Sequence, residues 1–354
     1  MQFTRAELDT ATALVRRALP PTPAYRWPLL AEVAGADVWV KHENHLPVGA
    51  FKVRGGLVYV DRLLRRRPDV TGLIAATTGN HGQSLAFAGR TFGLPVHIVV
   101  PFGNNPDKNA AMRALGAELI EHGHDYQAAR EHASALAAAQ PSLETVPPFH
   151  PDLVLGVATY ALELFEAVSD LDTVYVPIGM GSGACGLIGV RDLLRLDTKI
   201  VGVVAERADA TAQSFATGQV VTTDAADTFV DGVATRAPDL NAIRLLIAGA
   251  ARIVTVSEDA VAAAMRLHLQ ATHNVPEPAG ALGLAALLAE GDRVRGKRVA
   301  LVQTGGNVDA ATLTTVLEGR TPAPPSRRNG SAAEHDAAVG REDLARHPAP
   351  VGPQ

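Results

Sequence analysis

Residues 41–56 read KHENHLPVGAFKVRGG and follow an apolar run that predicts a β-strand over Asp37–Lys41. A loop with proline and glycine comes next, and a helix is predicted to begin near Phe51. Lys52 would then lie at the helix N-terminus, where the helix dipole lowers the pKa of an ammonium. A deprotonated lysine is a nucleophile that forms Schiff bases, although a solvated surface lysine fits the spacing at least as well.

Short apolar runs alternate with longer Ala- and Leu-rich stretches along the chain. Such strands, buried on both faces, are typical of a parallel sheet, and the alternation predicts a doubly wound α/β architecture. Besides Asp37–Lys41, the predicted strands are Gly72–Thr77, Val96–Pro101, Glu118–His122, Thr173–Ile178, Ile200–Glu206, Arg252–Val256 and Val299–Thr304. The predicted helices include Gly82–Phe92, Asp107–Leu115, Tyr126–Ala139, Leu153–Val168, Ala184–Leu196 and Asp259–Ala271.

Composition limits the classes of function. The 354 residues carry 32 Lys+Arg against 37 Asp+Glu, so there is no basic excess and we expect no nucleic-acid partner. The single cysteine, Cys185, excludes an internal disulfide and fits a reducing cytoplasm. Met1–Leu14 lacks the apolar core of a signal peptide, and Ala279–Ala289, the longest apolar stretch, is shorter than the ~20 residues that span a bilayer. We therefore expect a cytoplasmic protein with no membrane partner.

A glycine-rich loop follows one predicted strand and opens a helix. Residues 179–186 read GMGSGACG, and backbone N–H groups at such a helix N-terminus favour a phosphate. Gly181, Gly183 and Gly186 also satisfy G-x-G-x-x-G, with Glu206 twenty positions further on, as in a dinucleotide site. A nicotinamide-dependent oxidoreductase and a plain packed glycine turn are both alternatives here.

Two more polar loops follow predicted strands. Residues 77–83 read TTGNHGQ and suit a carboxylate at a helix N-terminus, although ordinary helix capping explains them equally well. Residues 304–309 read TGGNVD. Because ligands bind beyond the carboxyl ends of strands in open α/β sheets, we expect the site among these loops, the glycine loop and Glu206–Ala210.

The lysine segment closely resembles the signature of the fold-type II pyridoxal-phosphate enzymes, K-x-E-x-x-x-P-x-[SA]-F-K-x-R-G. The resemblance extends from about residue 10 to about residue 318 and implies two lobes, each a twisted, mostly parallel sheet with flanking helices. The expected large cofactor-binding domain covers 1–70 and 146–318, and the small substrate-closing domain covers 71–145. Residues 319–354, rich in proline and poor in large aliphatics, are predicted to form a disordered tail. All fixed positions are met, by Lys41, Glu43, Pro47, Ala50, Phe51, Lys52, Arg54 and Gly55.

The resemblance also implies a role for each loop around the cofactor, pyridoxal 5′-phosphate. Lys52 would hold the cofactor covalently, with Phe51 packed on one face of its ring. Asn80 would bind the 3-hydroxyl, Glu277 would lie close to the ring edge, and the hydroxyl of Thr304 would meet the ring nitrogen. The substrate carboxylate would be held by Thr77, Thr78, Asn80 and His81. The phosphate cradle would be Gly179, Met180, Gly181, Ser182 and Gly183, where relatives usually read GGGGL.

Within the family, G-N-H at residues 79–81 marks threonine and serine dehydratases and serine racemases. We therefore expect a threonine dehydratase (EC 4.3.1.19) that converts L-threonine to 2-oxobutanoate and ammonia, and also L-serine to pyruvate. Thr78 lies where racemases carry the serine that protonates Cα. A serine racemase or a hydroxyaspartate ammonia-lyase is the nearest alternative; a nicotinamide-dependent oxidoreductase or a non-catalytic binding protein is the more distant one.

The resemblance bears on metals and assembly too. Some relatives bind a divalent cation through a glutamate at the position of Glu206, a carbonyl at Ala210 and an aspartate at position 212. Residue 212 is alanine here, so Glu206 and Ala210 are weak candidates and no metal site is predicted. A homodimer or higher homo-oligomer is expected. Only a short tail follows residue 320, so we expect no isoleucine inhibition through a C-terminal sensor domain.

Overall fold

The computed structural model describes residues 3–324 and forms two sheets flanked by helices. The predicted α/β fold class is confirmed. Most of the predicted tail, residues 325–354, lies outside the described part of the chain. The division into two domains stays a prediction, although each sheet draws its strands from the segments expected for one lobe.

The larger sheet has six strands in the order β1-β2-β10-β7-β8-β9, and only β1 and β2 pair antiparallel. Its interior strands are apolar on both faces and have fully buried valines, which explains their continuous apolar runs. The strands are β1 (Ala24–Arg26), β2 (Asp37–His42), β7 (Thr173–Pro177), β8 (Lys199–Ala205), β9 (Arg252–Val256) and β10 (Arg298–Gln303).

The smaller sheet has four parallel strands in the order β5-β4-β3-β6. All eight predicted strands are present in the two sheets; β1 and β6, of three residues each, are too short for an apolar run to reveal them. The strands are β3 (Gly72–Ala76), β4 (Val96–Val100), β5 (Glu118–Glu121) and β6 (Leu143–Thr145).

The six predicted helices are also present, with ends that differ from the prediction by at most three residues. The α-helices are α1 (Arg5–Ala18), α2 (Pro28–Ala34), α3 (Lys52–Arg66), α4 (Asn80–Phe92), α5 (Pro106–Ala114), α6 (Tyr126–Ala139), α7 (Pro151–Ala167), α8 (Ser182–Leu193), α9 (Ala210–Thr217), α10 (Leu240–Gly249), α11 (Glu258–Thr272), α12 (Pro278–Glu290) and α13 (Ala310–Leu317).

Helix α3, which begins at Lys52, packs closely against both α4 and α7. A side-chain carbon at Gly156 of α7 would overlap the carbonyl of Arg54, and one at Gly56 would overlap the hydroxyl of Ser84. That hydroxyl donates to the carbonyl of Lys52 at 2.7 Å. The glycines therefore allow close helix crossings that fix the first turn of α3 and the backbone of Lys52.

Candidate active site

The lysine segment and the segment after β10 lie side by side. The amide of Phe51 donates to the carbonyl of Thr304 at 3.0 Å, and the amide of Gly306 donates to the carbonyl of Gly49 at 2.9 Å. Ala50 also forms an isolated antiparallel bridge with Gly305. Two loops that are far apart in sequence thus form one wall of a site.

Lys52 opens α3, as the sequence predicts, with its Nζ 5.9 Å from the centroid of the Phe51 ring. Burial lowers its pKa, and the opposing attraction of Glu277 is smaller. The direction agrees with the prediction, but the chief physical cause is loss of solvent rather than the helix dipole. Within residues 3–324 the amine forms no ion pair, and its lowered pKa favours the deprotonated form that acts as a nucleophile or base.

The glycine loop lies against the same ring. A side-chain carbon at Gly183 would lie 3.8 Å from the Phe51 ring, and the Tyr160 hydroxyl donates to the carbonyl of Gly183 at 2.9 Å. Gly181 has a φ of 98°, a conformation that favours glycine, and α8 begins at the buried Ser182. The N-terminus of α8 thus lies beside the ring of Phe51, the residue before Lys52, and its free amides are of the kind that bind an anion.

A chain of side-chain hydrogen bonds links three loops. The Asn80 Nδ2 donates to both carboxylate oxygens of Glu277 at 2.9 Å, and Asn307 Nδ2 donates to Asn80 Oδ1 at 2.8 Å. Asn307 also donates to the Val48 carbonyl at 2.9 Å, which fixes the orientation of the Asn80 amide. Burial raises the pKa of Glu277 to about 7 even though Asn80 favours its charged form.

Two polar side-chain atoms at the site are buried without a hydrogen-bond partner among the described residues: Thr304 Oγ1 and His81 Nε2. Thr304 is 4% exposed, so the lack of a partner for its hydroxyl is costly unless a ligand supplies one. Burial, with the nearby charge of Lys52, lowers the pKa of His81 to about 3, and the imidazole is neutral.

The remaining residues of the predicted carboxylate loop lie at the carboxyl end of β3. The buried Thr77 hydroxyl accepts from the amide of Gly79 at 3.4 Å. The carbonyl of Thr78 accepts from Asn104 at 3.4 Å, and α4 begins directly afterwards at Asn80. The loop therefore places hydroxyls and a helix N-terminus together, as an anion requires.

Met180, in the middle of the glycine loop, is half-buried, and its sulfur accepts from the Thr235 hydroxyl at 3.9 Å. Cys185 is buried in α8, where burial raises the pKa of its thiol to about 12. Glu206 is exposed in a short 3-10 helix, Glu206–Ala208. Among residues 3–324 no group of three or more His, Cys, Asp or Glu could hold a metal ion.

Three charged residues of the lysine segment do not line the site. Lys41, Glu43 and Arg54 form a buried charge network with Glu163 of α7, beneath the first turn of α3. Arg54 Nε donates to Glu43 at 2.7 Å, and Lys41 Nζ donates to Glu163 at 2.6 Å. The two positive and two negative groups balance, which gives these signature positions a structural role.

Sequence reasoning missed three residues around the site. Asn307 stands in the TGGNVD segment, yet its contact with Asn80 joins residues 227 positions apart. Lys108 of α5 lies against the loop at Gly79 and pairs with Asp231. The pattern around Lys108 and Asp231 is that of ordinary surface charges, so the sequence carries no signal for them.

These groups fit a cofactor that carries an aldehyde, a pyridine ring and a phosphate. The buried amine of Lys52 suits the aldehyde, the unpartnered Thr304 hydroxyl suits a ring nitrogen, and the loop before α8 suits a phosphate. The Phe51 ring lies near both the amine and the glycine loop and offers an apolar surface to a flat ring.

Comparisons with known proteins agree with this geometry. The family profile described as "Pyridoxal-phosphate dependent enzyme" matches residues 15–305. The chain is 31% identical to the L-threo-3-hydroxyaspartate ammonia-lyase of Saccharomyces cerevisiae, over 91% of this chain and 98% of that protein. It is 32% identical to the biosynthetic L-threonine dehydratase of Haemophilus influenzae, over 86% of this chain and 60% of the dehydratase, so it spans less than two thirds of that relative.

Solved structures give the same result. The T.th. threonine deaminase superposes with a TM-score of 0.81 at 32% identity, covering 87% of this chain and 99% of that one. The processed threonine deaminase isoform 2 of Solanum lycopersicum superposes with a TM-score of 0.83 at 27% identity, covering 90% of each chain. None of the helices within residues 3–324 combines the length and the apolar character that a membrane span needs.

Proposed function

This chain belongs to the pyridoxal-phosphate dependent enzyme family, and on that premise we propose that it is a threonine ammonia-lyase. It would convert L-threonine to 2-oxobutanoate and ammonia, and L-serine to pyruvate and ammonia. Pyridoxal 5′-phosphate is the cofactor. The observation that carries the proposal is the desolvated Lys52 amine, which forms no ion pair within residues 3–324 and lies close to the Thr304 and glycine loops.

The cofactor supplies an aldehyde and an electron-withdrawing ring that stabilises negative charge at the substrate Cα. We propose that Lys52 holds it and that Phe51 packs against its ring. The Thr304 hydroxyl would meet the ring nitrogen, Asn80 the 3-hydroxyl, and Glu277 the ring edge. The phosphate would be held by Gly179, Met180, Gly181, Ser182 and Gly183.

The substrate carboxylate is assigned to Thr77, Thr78, Asn80 and His81. In support, these residues follow β3 and open α4, so backbone amides and hydroxyls converge there. His81 is neutral and its ring already bonds the backbone at Val146, so its unpartnered Nε2 would donate to the carboxylate only in the other tautomer, which gives up that bond. The choice of tautomer would follow the ligand.

Lys52 would also move the proton. Because burial lowers its pKa, the amine is deprotonated more readily than a surface lysine and can accept the proton of Cα. The Thr78 hydroxyl is the second proton-carrying group we assign, at the other face of Cα. Loss of the β-hydroxyl then requires a proton donor at the leaving oxygen, and the protonated Lys52 is one group able to provide it.

Thr304 offers a neutral hydroxyl where a carboxylate would keep the ring nitrogen protonated. We propose that this weakens the ring as an electron sink, which favours prompt loss of the β-substituent over transamination. The variant Thr304→Asp tests this. We expect it to raise half-transamination to a keto acid, and an unchanged partition between products would refute the idea.

A second candidate is L-threo-3-hydroxyaspartate ammonia-lyase activity. It is favoured because the yeast enzyme of that name matches over 98% of its own length, whereas the Haemophilus dehydratase matches over 60%. The chemistry is the same elimination of water, with a side chain that carries a second carboxylate. Racemisation of serine is a further activity open to the same site through Thr78.

The deciding experiment measures keto-acid release from L-threonine, L-serine, L-allothreonine and threo-3-hydroxyaspartate with the holoenzyme. The proposal predicts the highest kcat/KM with L-threonine. A higher value with hydroxyaspartate would replace it by the second candidate, and no keto acid from any of them would refute both. Chiral chromatography of serine after incubation reports racemase activity.

The proposal includes a cytoplasmic enzyme that forms a homodimer or higher homo-oligomer. The single cysteine supports a reducing compartment. Sedimentation analysis of the holoenzyme tests the assembly, and a monomer at micromolar concentration would contradict it.

A further inference from the structure

Lys108 connects the two sheets. It lies on α5, which packs beside the four-stranded sheet, and its Nζ pairs with the carboxylate of Asp231. Asp231 opens a short 3-10 helix, Asp231–Val233, between β8 and β9 of the six-stranded sheet. The Lys108 side chain is 13% exposed and that of Asp231 is 37% exposed, so the ammonium is mostly buried and the carboxylate is partly in contact with water.

At one end, the pair touches the loop of residues 77–80, here called the substrate loop. A side-chain carbon at Gly79 would lie 3.2 Å from Cδ of Lys108 and 3.7 Å from its Nζ. Asn104, just before α5, donates to the Thr78 carbonyl at 3.4 Å and to Asn109 Oδ1 at 2.6 Å. The start of α5 is therefore attached to the substrate loop at two points.

At the other end, the pair reaches the glycine loop of residues 179–183. A side-chain carbon at Gly179 would lie 2.8 Å from the carbonyl of Gly232, the residue after Asp231. Gly232 in turn lies close to Ala279, in the first turn of α12. Asp231 is thus held next to the proposed phosphate cradle, and the ion pair spans from that cradle to the substrate loop.

The charge state of Lys108 supports a lasting pair. Burial pushes the pKa of Lys108 down, but attraction to Asp231, with smaller contributions from Glu277 and Asp309, outweighs burial and leaves the pKa above its usual value. The charged form of Lys108 is therefore favoured, whereas the pKa of Lys52 is lowered.

We propose that Lys108 is a positioning residue whose ion pair with Asp231 holds the substrate loop against the glycine loop. The inference rests on the proposed function, because it assigns the substrate carboxylate to the substrate loop. In this assignment Lys108 acts through that loop and not on the reacting atoms. Its loss therefore weakens substrate binding and leaves the chemical step largely intact.

The test compares Lys108→Met, Asp231→Asn and the swapped double variant K108D/D231K as holoenzymes. We expect each single variant to raise KM for L-threonine about tenfold, with kcat changed by less than about twofold. The visible absorbance of the bound cofactor should be unchanged. In the swapped variant KM should return most of the way to the wild-type value, because the two exchanged side chains restore an ion pair of the same total length.

The matched control is Arg113→Met, on the same helix, which removes an exposed pair with Glu121 and should leave KM unchanged. Asp231→Asn is nearly isosteric and keeps the test usable if Lys108→Met does not fold. Unchanged KM in Asp231→Asn, a fall in kcat that matches the rise in KM, or no recovery in the swapped variant would overturn the positioning role.

The keto-acid assay with the four amino acids identifies the preferred substrate. If that substrate is not L-threonine, KM is measured with the preferred amino acid instead, and the same outcomes apply. A wild-type enzyme inactive on the whole panel would overturn the proposed function. An active wild type with normal KM in Asp231→Asn would overturn only the role of Lys108.

Discussion

Two buried polar clusters meet at the first turn of α3 and differ in how their groups are paired. In the buried charge network, Arg54 donates to both Glu43 and Glu163, and Lys41 also donates to Glu163. At the candidate site, Thr304 Oγ1 and His81 Nε2 have no partner among the described residues. The first cluster is complete within the protein, whereas the second leaves two buried groups that a ligand can pair.

The difference shows how one signature serves two purposes. Lys41, Glu43 and Arg54 stabilise the base of α3, whereas Phe51 and Lys52 present an apolar face and a reactive amine above it. We therefore expect substitutions in the fully paired charge network to affect folding, and substitutions of the unpartnered groups at the candidate site to affect ligand binding. Each of the following experiments tests one side of that contrast.

The largest effect on activity is expected when the Lys52 amine is removed. Lys52→Ala should lower keto-acid release by at least about 10³-fold and abolish the visible absorbance of the cofactor, because it removes both the attachment point and the base. The exposed Lys199→Ala, on β8, is the control and should retain both properties. A Lys52→Ala enzyme that keeps activity and absorbance would contradict the assignment.

The buried charge network should respond to a single truncation by losing stability. Arg54→Met removes the arginine from the buried Glu43 and leaves Glu163 paired with Lys41 alone, so the free energy of unfolding should fall by about 3–5 kcal/mol. Arg65→Met, on the same helix, removes only an exposed pair with Asp61 and should have almost no effect. Urea unfolding measures both, and equal stabilities would show that the network is not structural.

Glu277 lies on the functional side, so its burial should cost stability in a pH-dependent way. Its folded pKa of about 7 lies above the ordinary 4.5, so the folded state binds the proton more tightly than the unfolded state. The resulting stability is present below pH ~4.5 and is lost as the pH rises through about 7.

The variant Glu277→Gln replaces this carboxyl group with an amide, which does not titrate. In the cofactor-free protein, its stability relative to wild type should therefore increase by up to about 3 kcal/mol between about pH 5 and about pH 8. Thermal unfolding across this range measures the difference. A difference that is constant with pH would show that Glu277 titrates normally.

The smallest effect is expected at the unpartnered hydroxyl. Thr304→Val should stabilise the cofactor-free protein by about 1–2 kcal/mol, because it removes a buried group without a partner, and should weaken cofactor binding. The control is Thr159→Val: Thr159 donates to the Gly156 carbonyl at 2.7 Å and accepts from Arg54 at 3.1 Å. Thr159→Val should lose stability. If Thr304→Val loses stability as well, the two clusters do not differ in how their hydroxyl groups are paired.

Much of this arrangement could be predicted from sequence because it depends on local pattern. Buried parallel strands appear as continuous apolar runs, and loops after strands are expected at one edge of a sheet. These rules place Lys52 at the start of α3 and bring the loop at Thr304 beside it, as the structure shows.

The rest depends on pairing between distant parts of the chain. Lys108 and Asp231 are 123 positions apart, and Arg54 and Glu163 are 109 apart, so neither pair leaves a local pattern. The lowered pKa of Lys52 was predicted from the helix dipole, but its main cause is burial, which only the packed structure reveals. Arg54 is part of a signature associated with cofactor binding, so its structural role could not be predicted from the sequence.

The most direct test of the central assignment is to reduce the holoenzyme with borohydride, digest it and locate the cofactor adduct by peptide mass spectrometry. The contrast between the two clusters predicts a single adduct on Lys52 and none on the paired Lys41 or Lys108. An adduct on another lysine, or no adduct on a protein that retains activity, would contradict it.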